Sequence, residues 1–557
     1  MPEGRESIAH VISAQTAFEV AQRAIGWIAF KVIGLWADYT DAEALRAPSS
    51  TPGRRGYVDV IGPHSMSTRG QKDNQTSLYP PQLRSEWQES KKKLSPAQLL
   101  EGLAIEGPHS ISGTDRTMVV NLGGLVLQLA YILHTSPQLF TRSQWNTILR
   151  VHKKDRAFKV GLAIEFETHV FAFLTKDLLF QPTWWSSMDD IVRPPSIVHD
   201  YLEFLATIAA WILEEGFLDR QIDKPGTQLA SEVFRNSKVW YGAGVYTTSE
   251  AFRLAGISPF LTATEVFKNP SRLARLILAL YTFMDVAYDS KFRSLITTAM
   301  SGTVLAPTAS QRENYAQFLD VYAQRSSLCG LWESELIDHY IETLNSLGSQ
   351  PRIWSRSDEQ LKLFDVFEPD RIQAGLDITE GNLGHLVFGD TQWELLGYTV
   401  PEELDPITQL FVDTEIIQST TSPPPLTYLN HEVYQVLFTN PPKGTLRNTK
   451  KTYFYHCSRQ IWSLVPNYPP NCSNTRRTVI DDGHKVISSL PSTAQDSYLA
   501  VNDGKEVEHK INDAYEEKLF LSIIRKGTTD VAIGPLEYCG NASWHSGPGG
   551  RRLYVMS

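Results

Sequence analysis

Apolar residues recur at helical spacing near the start of the chain, and this pattern predicts an N-terminal helix within residues 1–46. The stripe consists of Ile8, Val11, Ile12, Phe18, Ala21, Ile25 and Ile28. Such spacing places side chains on one face of an α-helix. The apolar run 25–36 contains Lys31 and is too short to cross a bilayer, which needs about 20 residues.

Helix signals are dense between residues 95 and 380, and we predict one large helical domain there. Ser95-Pro96 and Asn269-Pro270 each join an N-capping side chain to a proline at the first helical position. Pro195-Ser196 is predicted to open another helix. Residues 117–140 carry no formal charge but include polar residues, glycines and a proline, so we predict a buried helix there and not a membrane span. Residues 155–180 are rich in apolar residues and are predicted to form a long helix.

The pattern changes after residue 380, where short runs of β-branched and aromatic residues alternate with prolines. Residues 452–458 have the composition of a strand. Asp482-Gly483 and Asn502–Gly504 each separate two such runs and predict tight hairpins. Residues 381–557 are therefore predicted to form a strand- and loop-rich projecting domain. The predicted fold class is α+β, mainly α, with the helical domain first.

Residues 47–94 are rich in Ser, Thr, Gly and Pro and predict a polar arm or linker. This segment holds eight Lys and Arg against four acids, whereas the whole chain has a net charge of −10. Basic residues near aromatic rings suit nucleic-acid binding. The candidate RNA-facing residues are Arg54, Arg55, Lys91, Lys92 and Lys93. The competing interpretation is a solvated linker.

No sequence motif identifies a catalytic site, a metal site or a cofactor, and none is predicted. The chain has no GxxxxGK[ST], GxGxxG or GxSxG sequence. Glu165 and His169 would share a helix face, and Asp189-Asp190 lacks the third Asp of a diphosphate-binding motif. The four cysteines are too few for a disulfide scaffold. With no secretory signal, these features predict an intracellular (cytoplasmic) or virion location.

Aromatic residues make up 11% of the chain and charged residues only 20%. Subunit interfaces are enriched in aromatic residues and depleted of charge. This composition predicts a protein that associates with copies of itself. Trp184 and Trp185 are candidate subunit contacts, with a place in the core as the competing interpretation.

This organisation resembles that of capsid proteins of small double-stranded RNA viruses of the partitivirus and picobirnavirus type. Residues 95–350, including 192–212 and 249–261, would correspond to a helical shell domain, and 380–557 to a protrusion. The resemblance implies a homodimeric building block that closes into a shell around RNA, with no membrane partner.

Two other functions stay open at this stage. A viral nucleoprotein would coat RNA between two helical lobes. An enzyme of secondary metabolism, terpene-cyclase-like or iron/2-oxoglutarate-oxygenase-like, would assemble its site from residues far apart in sequence. Asp285 and Asp289 would serve the first chemistry, and the C-terminal segment around His545 the second.

Overall fold

The computed structural model describes residues 3–26, 28–41, 56–65, 77–131, 135–149, 159–175, 180–220, 228–257, 261–305 and 369–417, together with isolated residues and short strands elsewhere. Its first element is helix α1 (Gly4–Ile25). The Glu3 amide donates to the Glu6 carboxylate at 2.8 Å, which fixes the first turn. Gly26, with φ of 84°, ends the helix. The predicted helix is therefore confirmed only as far as Ile25.

Ten strands lie between α1 and residue 185 in the described part of the chain, and all ten pair antiparallel in two sheets of six and four strands. The strands are β1 (Phe30–Ala37), β2 (Asp59–Val60), β3 (Ala104–Ile105), β4 (Ile111–Gly113), β5 (Thr117–Asn121), β6 (Val126–Tyr131), β7 (Thr135–Thr141), β8 (Lys159–Phe166), β9 (His169–Thr175) and β10 (Phe180–Trp185). One sheet has the order β2-β1-β8-β9-β7, with β3 also paired to β1, and the other has the order β10-β6-β5-β4. We call this part of the chain the sandwich.

The prediction of a mainly helical chain with strands confined to its C-terminal part is wrong. Residues 155–180 form the β8–β9 pair and the start of β10 where the described residues cover them, and 117–140 contain β5, β6 and most of β7. Every residue of β9 is buried. A strand covered on both faces shows a continuous apolar run, which periodicity does not separate from a buried helix.

Short helices α2 (Pro81–Glu89), α3 (Pro96–Leu99) and α4 (Arg142–Ile148) lie among the strands. The predicted start at Ser95-Pro96 is confirmed, because the Ser95 hydroxyl accepts from the Gln98 amide at 3.3 Å. Strand β1, from the region predicted as an N-terminal helix, pairs with β8 in the region predicted as a helical core. The domain boundaries predicted at residues 46, 94 and 380 stay predictions.

A helical body follows the sandwich. Its helices are α5 (Tyr201–Glu214), α6 (Ala230–Asn236), α7 (Val245–Leu254), α8 (Ala263–Phe267), α9 (Pro270–Asp285) and α10 (Ser290–Thr298). Asn269 caps α9 as predicted, accepting from the Arg272 amide at 3.1 Å. The helix predicted to open at Pro195-Ser196 begins instead at Tyr201.

Helix α11 (Gln373–Leu376) ends just before residue 380, and α12 (Gly384–Phe388), α13 (Asp390–Leu395) and α14 (Pro406–Asp413) lie past it. Two-residue strand pairs occur between and after the helices, as β11 (Met300–Ser301) with β12 (Val304–Leu305) and β14 (Leu363–Phe364) with β15 (Val433–Tyr434). The strand β13 (Ser327–Leu328) pairs with β17 (Ile461–Pro466), which also pairs with β16 (Tyr453–Ser458). The last pairs are β18 (Ser497–Asn502) with β19 (Lys505–Lys510) and β20 (Ser543–Ser546) with β21 (Arg552–Val555). The hairpin predicted at Asn502–Gly504 is confirmed, and the one at Asp482-Gly483 lies outside the described residues.

Helix α1 belongs to two hydrophobic cores. Ile8, Ala9 and Ile12 pack into the core of the helical body, which includes Trp240. One turn later, Phe18 lies in the sandwich core. The first turns of α1 are therefore held at the boundary between the two bodies. No helix among the described residues has the length and apolar character needed to span a membrane.

Candidate functional site

Five residues meet where the start of α1 is wedged between the sandwich and the helical body. We call them the seam cluster: Glu3, Asp115, Arg116, Gly242 and Gly244. Glu3 directly precedes α1, Asp115 and Arg116 lie in the turn between β4 and β5, and the two glycines precede α7. Backbone contact joins these segments, because the Gly4 amide donates to the Gly242 carbonyl at 3.1 Å.

Glu3 is held at the N-terminus of α7. Its Oε2 accepts from the Gly244 amide at 3.1 Å and from the Thr247 amide at 2.7 Å. The helix dipole favours a negative charge at this end. A Cβ at Gly244 would lie 2.2 Å from the Glu3 carboxyl carbon. Glycine is therefore required for the carboxylate to approach the helix so closely, and the Glu3 side chain has one fixed position.

Arg116 connects the sandwich to the same turn. Its guanidinium donates to the Ala243 carbonyl and lies 5.9 Å from the centre of the Tyr241 ring. Burial lowers the pKa of Arg116, while the charges of Glu3, Tyr241 and Asp115 raise it. Since both carboxyl groups act on one guanidinium, Arg116 links Glu3 and Asp115 electrostatically.

Asp115 is the second carboxyl group of the cluster. It is 3% exposed, and the Ile197 amide donates to it. Within the described part of the chain its Oδ1 atom has no hydrogen-bond partner. Burial raises the pKa of Asp115 to about 7, with a further rise from Asp200 that outweighs the lowering effect of Arg116. Asp115 therefore carries a proton about half the time at neutral pH.

The seam cluster thus combines a carboxylate fixed by helix amides with a carboxyl group that can give up a proton near neutral pH. A proton donor beside a fixed acceptor suits acid–base chemistry. Arg116 is partly exposed, and His199 and Asp200 are exposed beside the segment that donates to Asp115. The Ile197 amide of this segment donates to the Asp115 carboxyl group.

Sequence reasoning missed every residue of the seam cluster. Acidic residues are common at the start of a helix, so Glu3 and Glu6 do not indicate a functional site from the sequence. Gly242-Ala-Gly244 is a bare GxG sequence, a pattern that is typical of a turn. A signal was present, because two closely spaced glycines directly precede the helix that starts at Val245. However, the acid that binds at this helix start is Glu3, which lies 241 positions from Gly244.

The predicted RNA-facing residues lie elsewhere. Lys91, Lys92 and Lys93 are exposed in the turn between α2 and α3, and neither helix supplies a residue to the seam cluster. The Lys92 ammonium group lies 5.3 Å from the centre of the Trp87 ring. Arg54 and Arg55 lie outside the described residues.

The two candidate subunit contacts face opposite sides of β10. Trp184 is fully buried in the sandwich core, and its indole Nε1 donates to the Ser77 carbonyl at 2.8 Å. Trp185 is partly buried, and its Nε1 donates to Gln128 Oε1 at 2.9 Å. Trp184 therefore packs within its own chain, and contact of Trp185 with another subunit stays a prediction.

The acids considered for metal or diphosphate binding form no such site in the described residues, where no group of three or more candidate ligands converges. Glu165 and His169 lie on paired strands, not on one helix. The Glu165 carboxylate accepts from Trp36 Nε1 at 2.6 Å and pairs with Arg142. Asp289 caps α10.

Comparison with known proteins gives no family. Neither a protein-family model nor a curated protein matches the chain. Among solved structures, the formamido-pyrimidine DNA glycosylase of Lactococcus lactis, non-covalently bound to DNA containing an AP site, is 14% identical. That match covers 57% of this chain and 90% of the other, with a TM-score of 0.31. A complex of the same glycosylase with THF-DNA and an inhibitor is 13% identical over 49% and 78% of the two chains, with a TM-score of 0.27. Scores of this size do not establish a shared fold.

Proposed function

We propose that this protein cleaves a glycosidic bond of a nucleotide in DNA, with the seam cluster as its catalytic site. One observation carries the proposal. The Glu3 carboxylate is fixed by the amides of α7, while the neighbouring carboxyl group of Asp115 retains its proton up to about pH 7. Glycoside cleavage uses this pair of states, because an acid protonates the leaving group and a carboxylate acts on the cationic sugar carbon or on water.

In the proposed reaction Asp115 gives its proton to the departing base as the bond from the base to C1′ breaks. Water then adds to C1′, activated by the Glu3 carboxylate. The proton released by the water restores Asp115 by way of Glu3. The products are the free base and an abasic sugar. Arg116 interacts electrostatically with both carboxyl groups, whose charges raise its pKa.

The positive charge of Arg116 favours DNA as the substrate class. DNA presents a phosphate at every nucleotide, and arginine and lysine side chains bind phosphate. Arg116 is cationic and partly exposed at the seam.

The test uses the full chain with duplex oligonucleotides that contain 8-oxoguanine, uracil or an abasic site, and measures base release and strand cleavage. Glu3→Gln removes the charge but keeps an oxygen that accepts from the α7 amides. We expect base release to fall by about 10²-fold or more, in line with the loss of a general base. Thermal unfolding of the variant reports on its folding.

Glu19→Gln is the matched control, because Glu19 lies on the same helix with its side chain 42% exposed. It is expected to release base at the unchanged rate. Absence of base release by the unaltered chain from both the 8-oxoguanine and the uracil duplex would refute the proposal, and the abasic duplex, which has no base at the site, serves as the blank. A folded Glu3→Gln variant with full activity would remove Glu3 from the mechanism.

Assembly into a shell around RNA, the nucleoprotein function and the secondary-metabolism enzymes stay predictions from the sequence. Light scattering tests the first of these directly, since a closed shell has a molar mass in the megadalton range.

A further inference from the structure

The turn after α2 has an unusual backbone. The helix ends at Glu89, and the amides of Lys91 and Lys92 donate to the carbonyls of Gln88 and Trp87 at 3.0 and 2.9 Å. Lys91 and Lys92 have φ angles of 55° and 62°. This left-handed region is disfavoured for residues other than glycine, and here two successive lysines adopt it.

The consequence of this backbone is a compact cluster of exposed positive charge. Lys91, Lys92 and Lys93 are all exposed. The Trp87 ring lies beneath the Lys92 ammonium group and 6.3 Å from the His64 ring. We call Lys91, Lys92 and Lys93 the lysine turn. Strained backbone conformations cluster at functional sites, so a strained turn at a charged surface favours a function there.

The charges around the turn favour an anionic partner. Glu86 and Glu89 are the exposed acids of α2, and Arg84 adds a further cation on the same helix. This part of the chain therefore carries four cationic and two acidic side chains, whereas the whole chain has a net charge of −10. A local excess of this sign within an acidic protein attracts a polyanion to one place and repels it from the rest.

We propose that the lysine turn binds the phosphate backbone of a nucleic acid. Three ammonium groups on successive residues supply point charges, which bind phosphates without the planar, bidentate geometry that guanidinium groups use. The contact is expected to be independent of sequence. This inference rests on the proposed function only for the choice of DNA, because the phosphate chemistry is common to DNA and RNA.

The test measures binding and not cleavage. Fluorescence anisotropy gives the affinity of the full chain for a 20-base-pair DNA duplex and for an RNA duplex of the same sequence over a salt series. Lys91→Gln, Lys92→Gln and Lys93→Gln are combined in one variant. Each phosphate contact contributes about 0.9 to the slope of log affinity against log salt for B-DNA. We expect the slope to become shallower by about 2 to 3.

The matched control combines Lys31→Gln, Lys238→Gln and Lys291→Gln, three exposed lysines on other elements. It removes the same net charge and is expected to leave the slope within about 1 of the unaltered chain. An equal fall in slope for both variants, or no fall for the lysine-turn variant, would overturn the proposal.

The two proposals fail separately. Duplex DNA that is bound with the expected slope change but never cleaved would refute the glycosidic function and support the lysine turn. Base release by the unaltered chain, together with an unchanged salt slope in the lysine-turn variant, would support the glycosidic function and refute the lysine turn. Binding of the RNA duplex with the same change would support phosphate recognition, and a change confined to DNA would support it for DNA alone.

Discussion

At the scale of single residues, two buried groups titrate abnormally and act on stability in opposite directions. Burial raises the pKa of Asp115 from 3.8 to about 7. Between these values the folded chain keeps a proton that the unfolded chain releases, so the free energy of unfolding falls as pH rises. Burial lowers the pKa of His10 from 6.5 to about 3. Between those values the unfolded chain binds the additional proton, so the free energy of unfolding rises with pH.

Asp115→Asn should therefore leave His10 as the main source of the pH dependence of the free energy of unfolding. The amide keeps an acceptor for the Ile197 amide and does not titrate. We expect the free energy of unfolding to rise more steeply between pH 4 and 6.5, and to exceed that of the unaltered chain by about 2–4 kcal/mol at pH 8. Urea unfolding across this pH range measures both effects.

Asp190→Asn provides the control, because Asp190 is exposed and its replacement should leave the pH dependence unchanged. Parallel curves for Asp115→Asn and the unaltered chain would contradict the assignment of the raised pKa to Asp115.

The seam cluster shows why residue types in a sequence did not reveal the site. Glu3 matters because Gly244 has no side chain and α7 begins beside it. Asp115 matters because the fold buries it beside Asp200 and the Ile197 amide. Each of these causes lies in a different element, and no spacing along the chain reports it.

At the scale of elements, starts and stops of helices were the most predictable features. Ser95 and Asn269 cap the helices that their sequences predicted, because capping depends on residues within one turn. The long apolar runs were misassigned for the opposite reason. Whether 155–180 pairs as strands or coils as a helix depends on partners such as β1 and β7, and these are distant in sequence.

Lys91→Gly tests the backbone strain of the lysine turn. Glycine adopts a positive φ without the steric cost of a Cβ. We expect the free energy of unfolding to rise by about 0.5–1 kcal/mol, measured by urea unfolding.

Lys93→Gly loses the same charge at a position that is not among the positive-φ residues, and it should give no such gain. Equal effects of the two substitutions would show that charge and not backbone conformation sets the stability of the turn.

At the scale of the whole molecule, α1 joins the two bodies. Phe18 lies 5.0 Å from Phe30 and 5.1 Å from Phe171 between ring centres in the sandwich. Near the other end of α1, Arg5 Nε donates to the Phe283 carbonyl of α9 at 2.6 Å. Loss of one core therefore removes support from the other through a single helix.

Phe18→Ala should consequently destabilise the described body as one unit. Truncation of a buried phenylalanine costs about 3–5 kcal/mol. We expect calorimetry to show a transition that moves to lower temperature while the sandwich and the helical body still unfold together.

Val20→Ala is the control on the same helix, since Val20 is 37% exposed and should shift the transition little. A Phe18→Ala variant in which one transition moves and a second stays in place would show that the two bodies are independent.

The sequence by itself determined the local features of this protein: the amphipathic start of α1, the N-caps of α3 and α9, the hairpin at Asn502–Gly504, and the cluster of basic residues Lys91–Lys93. These follow from interactions among residues close in the chain. Only the tertiary structure decided that the apolar runs pair as a sandwich, and that Glu3, Asp115 and the turn before α7 meet at one seam. Both outcomes depend on burial and on partners in distant segments, such as β1 with β8 and Glu3 with Gly244.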